Sequence, residues 1–261
     1  MNTPRPLFFS DLIALDTEQH RALTLPAERK NFAFAAPAHL IPLTVAEAGI
    51  AMHHYPVVFV QEGEIVALVA LTGLPNLGNG FVDSKGEWRI GAYIPAYVRG
   101  YPFIAVRPAP GMEPVIAFDP KAPDFKTKGG QLLINNDGQP SEKLKGVLAF
   151  QGEYLALTER THAITKVLKT EGVLEDGNLN VQAPDGSQTR IGGFLVVNET
   201  RLRALSADTL KNLMDADALG LAYAQLLSMT NLNRLIPESR SHGGTSVRAA
   251  TARRSNKKVA E

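Results

Sequence analysis

The densest set of chemically capable side chains lies between Trp88 and Phe103, in the run WRIGAYIPAYVRGYPF, where Trp88, Tyr93, Tyr97, Tyr101 and Phe103 surround Arg89 and Arg99. An aromatic wall carrying guanidinium groups suits a planar, anionic or peptide ligand, because ring faces attract cations and convergent polar groups fix a ligand's orientation. A hydrophobic core uses the same residues when its tyrosine hydroxyls and arginines find internal partners. On residue types alone the packed reading outranks the ligand-binding one. Trp88, Tyr93, Tyr97, Arg99 and Tyr101 are the candidate binding residues, and Pro95 and Pro102 each restrict the residue before them to extended geometry, which holds the segment in a fixed path.

Other chemistry is thinly supplied. The six histidines, His20, His39, His53, His54, His162 and His242, show no HExxH or related spacing, so no metal site is assigned. Gly73 to Gly80 is glycine-rich, but it lacks the lysine and hydroxyl of a phosphate-binding loop and does not open a helix, so it reads as a turn. There is no G-x-S-x-G elbow. The acidic pairs Asp83 with Glu87 and Asp119 with Asp124 read as turn formers and solvated charges. Asp119 stands apart because it follows an apolar strand. With Arg99 as an anion clamp, it is the candidate acid or base for an enzyme acting on a small molecule or peptide. No catalytic residue and no cofactor motif is otherwise assigned, which favours a binding protein over an enzyme.

The 261 residues contain no cysteine, which excludes disulfides, thiolate nucleophiles and cysteine-held zinc or iron–sulfur centres. The formal net charge is +1. Residues 238–261 hold Arg240, Arg248, Arg253, Arg254, Lys257 and Lys258 against Glu238 and Glu261, a local +4, which leaves the other 237 residues at −3. A mildly acidic body argues against nucleic acid as a partner, which would require basic residues gathered on the fold itself. No window is long and apolar enough for a transmembrane helix. The first twenty residues, interrupted by prolines and an acidic residue, carry no secretory signal, so the expected location is cytoplasmic.

The elements that must position the aromatic run can be read from period and punctuation. Residues 1–43 are proline-rich and suggest an irregular arm whose phenylalanines dock on the body. Thr44 to Glu47 forms a capping box for a short helix ending at Tyr55-Pro56. Residues 56–60 and 64–71 read as a hairpin of strands covered on both faces, and further pairs are expected at 81–82 with 87–93 and at 103–107 with 115–118, with another turn after 131–134. Apolar spacing becomes helical from Ser141 to Glu171, as one long helix or two stacked ones. It returns to strand at 179–181, 190–191 and 193–198, then gives two helices between Ser206 and Leu235. The prediction is a single α+β domain over 1–237, a largely antiparallel sheet covered by helices, followed by a disordered basic tail at 238–261.

Several stretches carry a family resemblance. They are Pro6-Leu-Phe, Phe32-Ala-Phe-Ala35, Pro42 to Glu47, Tyr55 to Phe59, Phe81-Val-Asp83, Gly86-Glu-Trp88, Tyr93-Ile-Pro-Ala-Tyr-Val-Arg99 with Tyr101-Pro-Phe103, Gly193 to Val197, and Ala222-Tyr-Ala-Gln225 through Asn231. In order and spacing the chain resembles the bacterial SapC family over about residues 4–236. That resemblance implies association with bacterial surface-layer proteins, a protein or peptide partner, and possible presence at the cell surface. It brings no catalytic residues with it. Gly100 departs from the pattern, which tends to have a second arginine there.

Overall fold

The computed structural model describes residues 5–75, 77–109, 111–126, 129–182, 188–235 and 246–250. Most of the proline-rich arm is irregular, yet it contributes one short strand to each of three sheets: β1 (Ile13–Ala14), β2 (Thr24–Leu25) and β3 (Leu40–Pro42). Phe9 and Phe32 are buried, and removing each ring from water is worth about 1.5–3 kcal/mol, which fixes the arm to the body. A 3-10 turn at Val45–Glu47 leads into α1 (Ala48–Ala51), which stops before Tyr55-Pro56 as expected.

β4 (Val57–Glu62) and β5 (Ile65–Leu71) form the anticipated hairpin, with Gly63 in the turn at φ 59°, a conformation that favours glycine. β6 (Gly73–Leu74) and β7 (Gly78–Asn79) make a small ribbon where the sequence suggested only a turn. The hairpin expected at 81–82 with 87–93 shrinks to one bridge, Val82 to Trp88. The cause is competition: Trp88 is drawn into the core against Phe32, and the Gly86 carbonyl accepts from Phe32 N at 2.6 Å.

α2 (Ala96–Gly100) follows, then β8 (Phe103–Val106) and β9 (Val115–Phe118) pair in register as expected, and β10 (Gln131–Leu132) pairs with β2. The helical period from Ser141 resolves into one helix, α3 (Glu142–Thr170), whose first turn is capped by Ser141 Oγ accepting from Leu144 N. The remaining elements are β11 (Leu174–Gln182), β12 (Gln188–Val197), α4 (Glu199–Arg203), α5 (Ala207–Asp215), α6 (Ala218–Ser228) and β13 (Ser246–Ala250).

The main sheet has six antiparallel strands in the order β13-β11-β12-β4-β5-β3, and β1-β9-β8 form a second sheet. α3 packs against both β5 and β8 and so ties the two sheets together. Between β12 and β4 only Leu195 and Phe59 are in register, so other groups must satisfy the parted backbone. Two buried polar residues of α6 do this: Gln225 Oε1 accepts from Val197 N at 2.9 Å and Ser228 Oγ accepts from Val57 N at 2.8 Å, while Asn231 Nδ2 donates to Met52 O at 2.7 Å and holds the end of α1. The arrangement is α+β, with antiparallel sheets covered by helices.

Two expectations concern the tail. Ser246–Ala250, assigned by composition to a disordered tail, forms the edge strand β13. Residues 238–245 and 251–261 of that predicted tail lie outside the described residues.

Candidate functional site

The aromatic run does not form one wall. Trp88 is buried in the main core beside Phe32, and its indole N–H makes no hydrogen bond of ordinary geometry. Arg89 lies over the Phe81 ring at 4.4 Å and donates to Gly80 O at 2.9 Å, so its guanidinium serves the turn beneath it. Tyr101 is buried, stacked on Phe34 at 4.2 Å between ring centroids, with its hydroxyl on Asp119. Tyr97 donates to Leu7 O at 2.9 Å and packs against Phe8, which pins the arm. Trp88 and Arg89 therefore separate from the rest as core and turn supports.

What remains is organised by a carboxylate. Glu47, nearly buried, accepts at one oxygen from Thr44 N (2.9 Å) and Thr44 Oγ1 (3.0 Å), and at the other from Tyr93 OH (3.0 Å) and Ala96 N (2.7 Å). The first pair is the capping box legible in the sequence. The second pair fixes the start of α2, where Pro95 precedes the first helical residue and the Ala96 N–H would otherwise have no acceptor. Tyr93 passes the linkage outward by accepting from Arg99 Nη2 at 3.2 Å. Arg99 Nε donates to Ile94 O at 3.1 Å, and its guanidinium lies 5.8 Å from the Tyr93 ring centre and 5.4 Å from that of Phe150. Arg99 is exposed, and its Nη1 makes no hydrogen bond among the described residues.

Arg99 opens on a cleft between α2 and α3 with two adjoining lobes. One, of about 190 Å³, is lined by Arg29, Tyr101, Asp124 and Lys143; the other, of about 260 Å³, is lined by Lys143, Phe150, Gln151 and Glu142, whose carboxylate is paired with Lys145; Arg99 and Gly100 border both. Lys143 is tethered by donation to Ala27 O at 3.1 Å. A Cβ at Gly100 would lie 2.8 Å from Gln151 Nε2 and 3.1 Å from Phe150, so a larger residue there would require those two side chains to move.

Sequence reasoning missed Arg29. In the charged run Glu28-Arg29-Lys30 it reads as a solvated residue, but its side chain is 15% exposed and pairs with Asp124 at 2.5 Å. It also donates to the carbonyls of Val98, Arg99 and Tyr101, the last carbonyls of α2, as basic groups do at helix C-termini. Arg29 thus carries a neutralised charge at the base of the cleft, while the cations at its mouth are the exposed Arg99 and the half-buried Lys143.

Asp119, the sequence candidate for an acid or base, is buried and accepts from Ser10 N at 2.8 Å, Ser10 Oγ at 3.0 Å, Lys121 N at 3.0 Å and Tyr101 OH at 3.3 Å. It lines neither lobe. Burial raises the hydroxyl pKa of Tyr97 and Tyr101, and for Tyr101 the Asp119 charge adds to it. Burial also raises that of Tyr93, with the Glu47 charge second. These hydroxyls remain protonated donors across the neutral range. Among the described residues no cluster of three or more His, Asp or Glu could hold a metal, and no helix is long and apolar enough to cross a membrane.

The fold and this face define an α+β protein in which a braced but incompletely bonded guanidinium looks into a cleft between two helices. The family can be stated more closely: the SapC family model matches residues 15–235, and the chain belongs to the SapC family. No curated protein and no solved structure matches the chain.

Proposed function

We propose that this protein is a non-catalytic binding or assembly protein whose α2–α3 cleft takes an acidic group from a protein or peptide partner. Arg99 is the contact residue, Lys143 is its companion across the cleft, and Tyr93 and Tyr97 hold the contact surface in place. The observation that carries the reading is Arg99 itself. Its guanidinium is braced by Tyr93, Ile94 and Phe150, and one amino group is left for a ligand. Such bracing lowers the entropy lost when a carboxylate or phosphate pairs with it. The enzyme reading, with Asp119 as acid or base, has less support, because that carboxylate is occupied by four donors away from the cleft.

The test is an array of peptides with and without Asp, Glu or phosphoserine, read with the wild type and with Arg99→Ala. A charged hydrogen bond is worth about 1.5–3 kcal/mol, so Arg99→Ala is expected to weaken acidic peptides about tenfold or more while the thermal midpoint holds. Equal binding by the two proteins, or no preference for acidic peptides, overturns the reading.

A further inference from the structure

The main sheet ends on one side at β11, and this chain covers that edge with its own C-terminal segment. β13 pairs antiparallel with β11 from Asn178 opposite Ala250 to Gln182 opposite Ser246. An uncovered strand edge presents unpaired N–H and C=O groups, and proteins usually protect it with lysine, proline, bulges or a covering element. The stretch Asn178-Leu-Asn-Val-Gln182 contains no charge and no proline. The register shift in the β11–β12 ladder falls between Gly177 and Leu179, so Leu179–Gln182 runs regularly between both neighbours. Protection of this edge therefore rests on β13.

β13 is poorly suited to permanent attachment. In Ser246-Val-Arg-Ala-Ala250 only Val247 is of a residue type that favours strands, so the segment's own propensity adds little to what holds it, the ladder with β11 and its approach to the 3-10 turn at Met229–Leu235. The segment also lies beyond residues 15–235, the part shared with the family. The edge it covers is suited to its own like. Neutral residues facing their copies across a two-fold axis meet no like-charge repulsion.

We infer that β13 is an exchangeable guard of the β11 edge, and that when it leaves, the edge pairs with β11 of a second copy of the chain. The C-terminal segment then sets the balance between a guarded monomer and an edge-paired dimer, independently of the Arg99 cleft.

The experiment uses the full chain. Val247→Pro places a residue with no N–H and a fixed φ in the middle of β13. The expected result is loss of hydrogen-exchange protection at residues 178–182 in dilute solution. Protection should return as concentration rises and a dimer appears by light scattering, at a concentration at least about tenfold below that at which the wild type dimerises. A variant that exposes these amides yet stays monomeric at every concentration overturns the inference, as does unchanged protection in the variant. Should Val247→Pro fail to fold, Asn180→Cys with Arg248→Cys replaces it. The two positions are in register, and the chain has no other cysteine. The oxidised form, with β13 tied down, is expected to remain monomeric at concentrations where the reduced form dimerises; equal dimerisation of the two forms overturns the inference.

Discussion

Glu47 and Asp119 are both buried carboxylates, each held by four donors, and each fastens one end of the segment from Tyr93 to Phe103. They differ in what they fasten it to. Glu47 joins a helix start to a helix start, linking the Val45–Glu47 turn to α2, and all its partners belong to the body. Asp119 joins the body to the arm through Ser10 and to the core through Tyr101. A buried ion must find donors wherever it sits, and here the two ions stand in for packing at places where the chain has little regular structure. The difference is one of consequence: losing Glu47 unmakes the cleft, whereas losing Asp119 frees the arm.

The largest expected effect is that of Glu47→Ala. It leaves Thr44 N, Ala96 N and Tyr93 OH without their acceptor, at a cost of about 3–5 kcal/mol in chemical denaturation. It should also loosen Arg99 through Tyr93. Asp119→Ala is expected to cost less, about 2–3 kcal/mol, because part of the loss is relieved when the arm detaches and its donors reach water. Limited proteolysis should then cut near Ser10 while leaving the body intact. If Asp119→Ala destabilises as much as Glu47→Ala without exposing the arm, the distinction between the two carboxylates fails.

A smaller effect per group separates the hydroxyls that serve the two carboxylates. Burial, aided by Glu47 for Tyr93 and by Asp119 for Tyr101, raises both pKa values above the ordinary tyrosine value of 10. Tyr55, Tyr97 and Tyr154 are raised chiefly by burial. A raised pKa means that the unfolded chain ionises first, so this stability is fully present below pH 10 and is lost as pH climbs above it. Each such group costs about 1.4 kcal/mol per pH unit in that window. In a Tyr223→Phe background, which removes the exposed tyrosine, tyrosinate absorbance and unfolding should therefore rise together above pH 10, and tyrosinate appearing well before unfolding would count against it. The smallest expected stability effect is that of Arg99→Ala, under about 1 kcal/mol by thermal melting, because Arg99 is exposed and its partners can turn to water. A larger loss would make Arg99 a structural residue and weaken its assignment as the contact group.

What was legible in the sequence is local. The Thr44–Glu47 box depends on residues three apart, the β4–β5 and β8–β9 hairpins on turn residues between apolar runs, and α3 on one sustained period, so each could be read from neighbours alone. The aromatic run was legible as a place of importance but not as a site. Burial divided it: Trp88 went to the core, Tyr101 to the core beneath one lobe of the cleft, Arg89 to a turn, Tyr97 to the arm and Tyr93 to the brace behind Arg99, which alone of the candidates borders both lobes. Arg29 and Gln225 left no comparable signal, because a lone arginine in a charged run and a glutamine in a helix look alike whether solvated or buried. β13 left no signal for the same reason, since its small and basic residues carry no strand pattern and its pairing is supplied by β11.

By itself, then, the sequence determined the locally coded elements, the absence of thiol chemistry and the family. Only the tertiary structure decided which charges are neutralised and which face the cleft. That depends on partners brought together from distant parts of the chain, such as Arg29 with Asp124 and Glu47 with Ala96. Electrostatics and burial act through space, whereas propensity and period act along the chain, and Arg99 owes its exposed, braced position to the former.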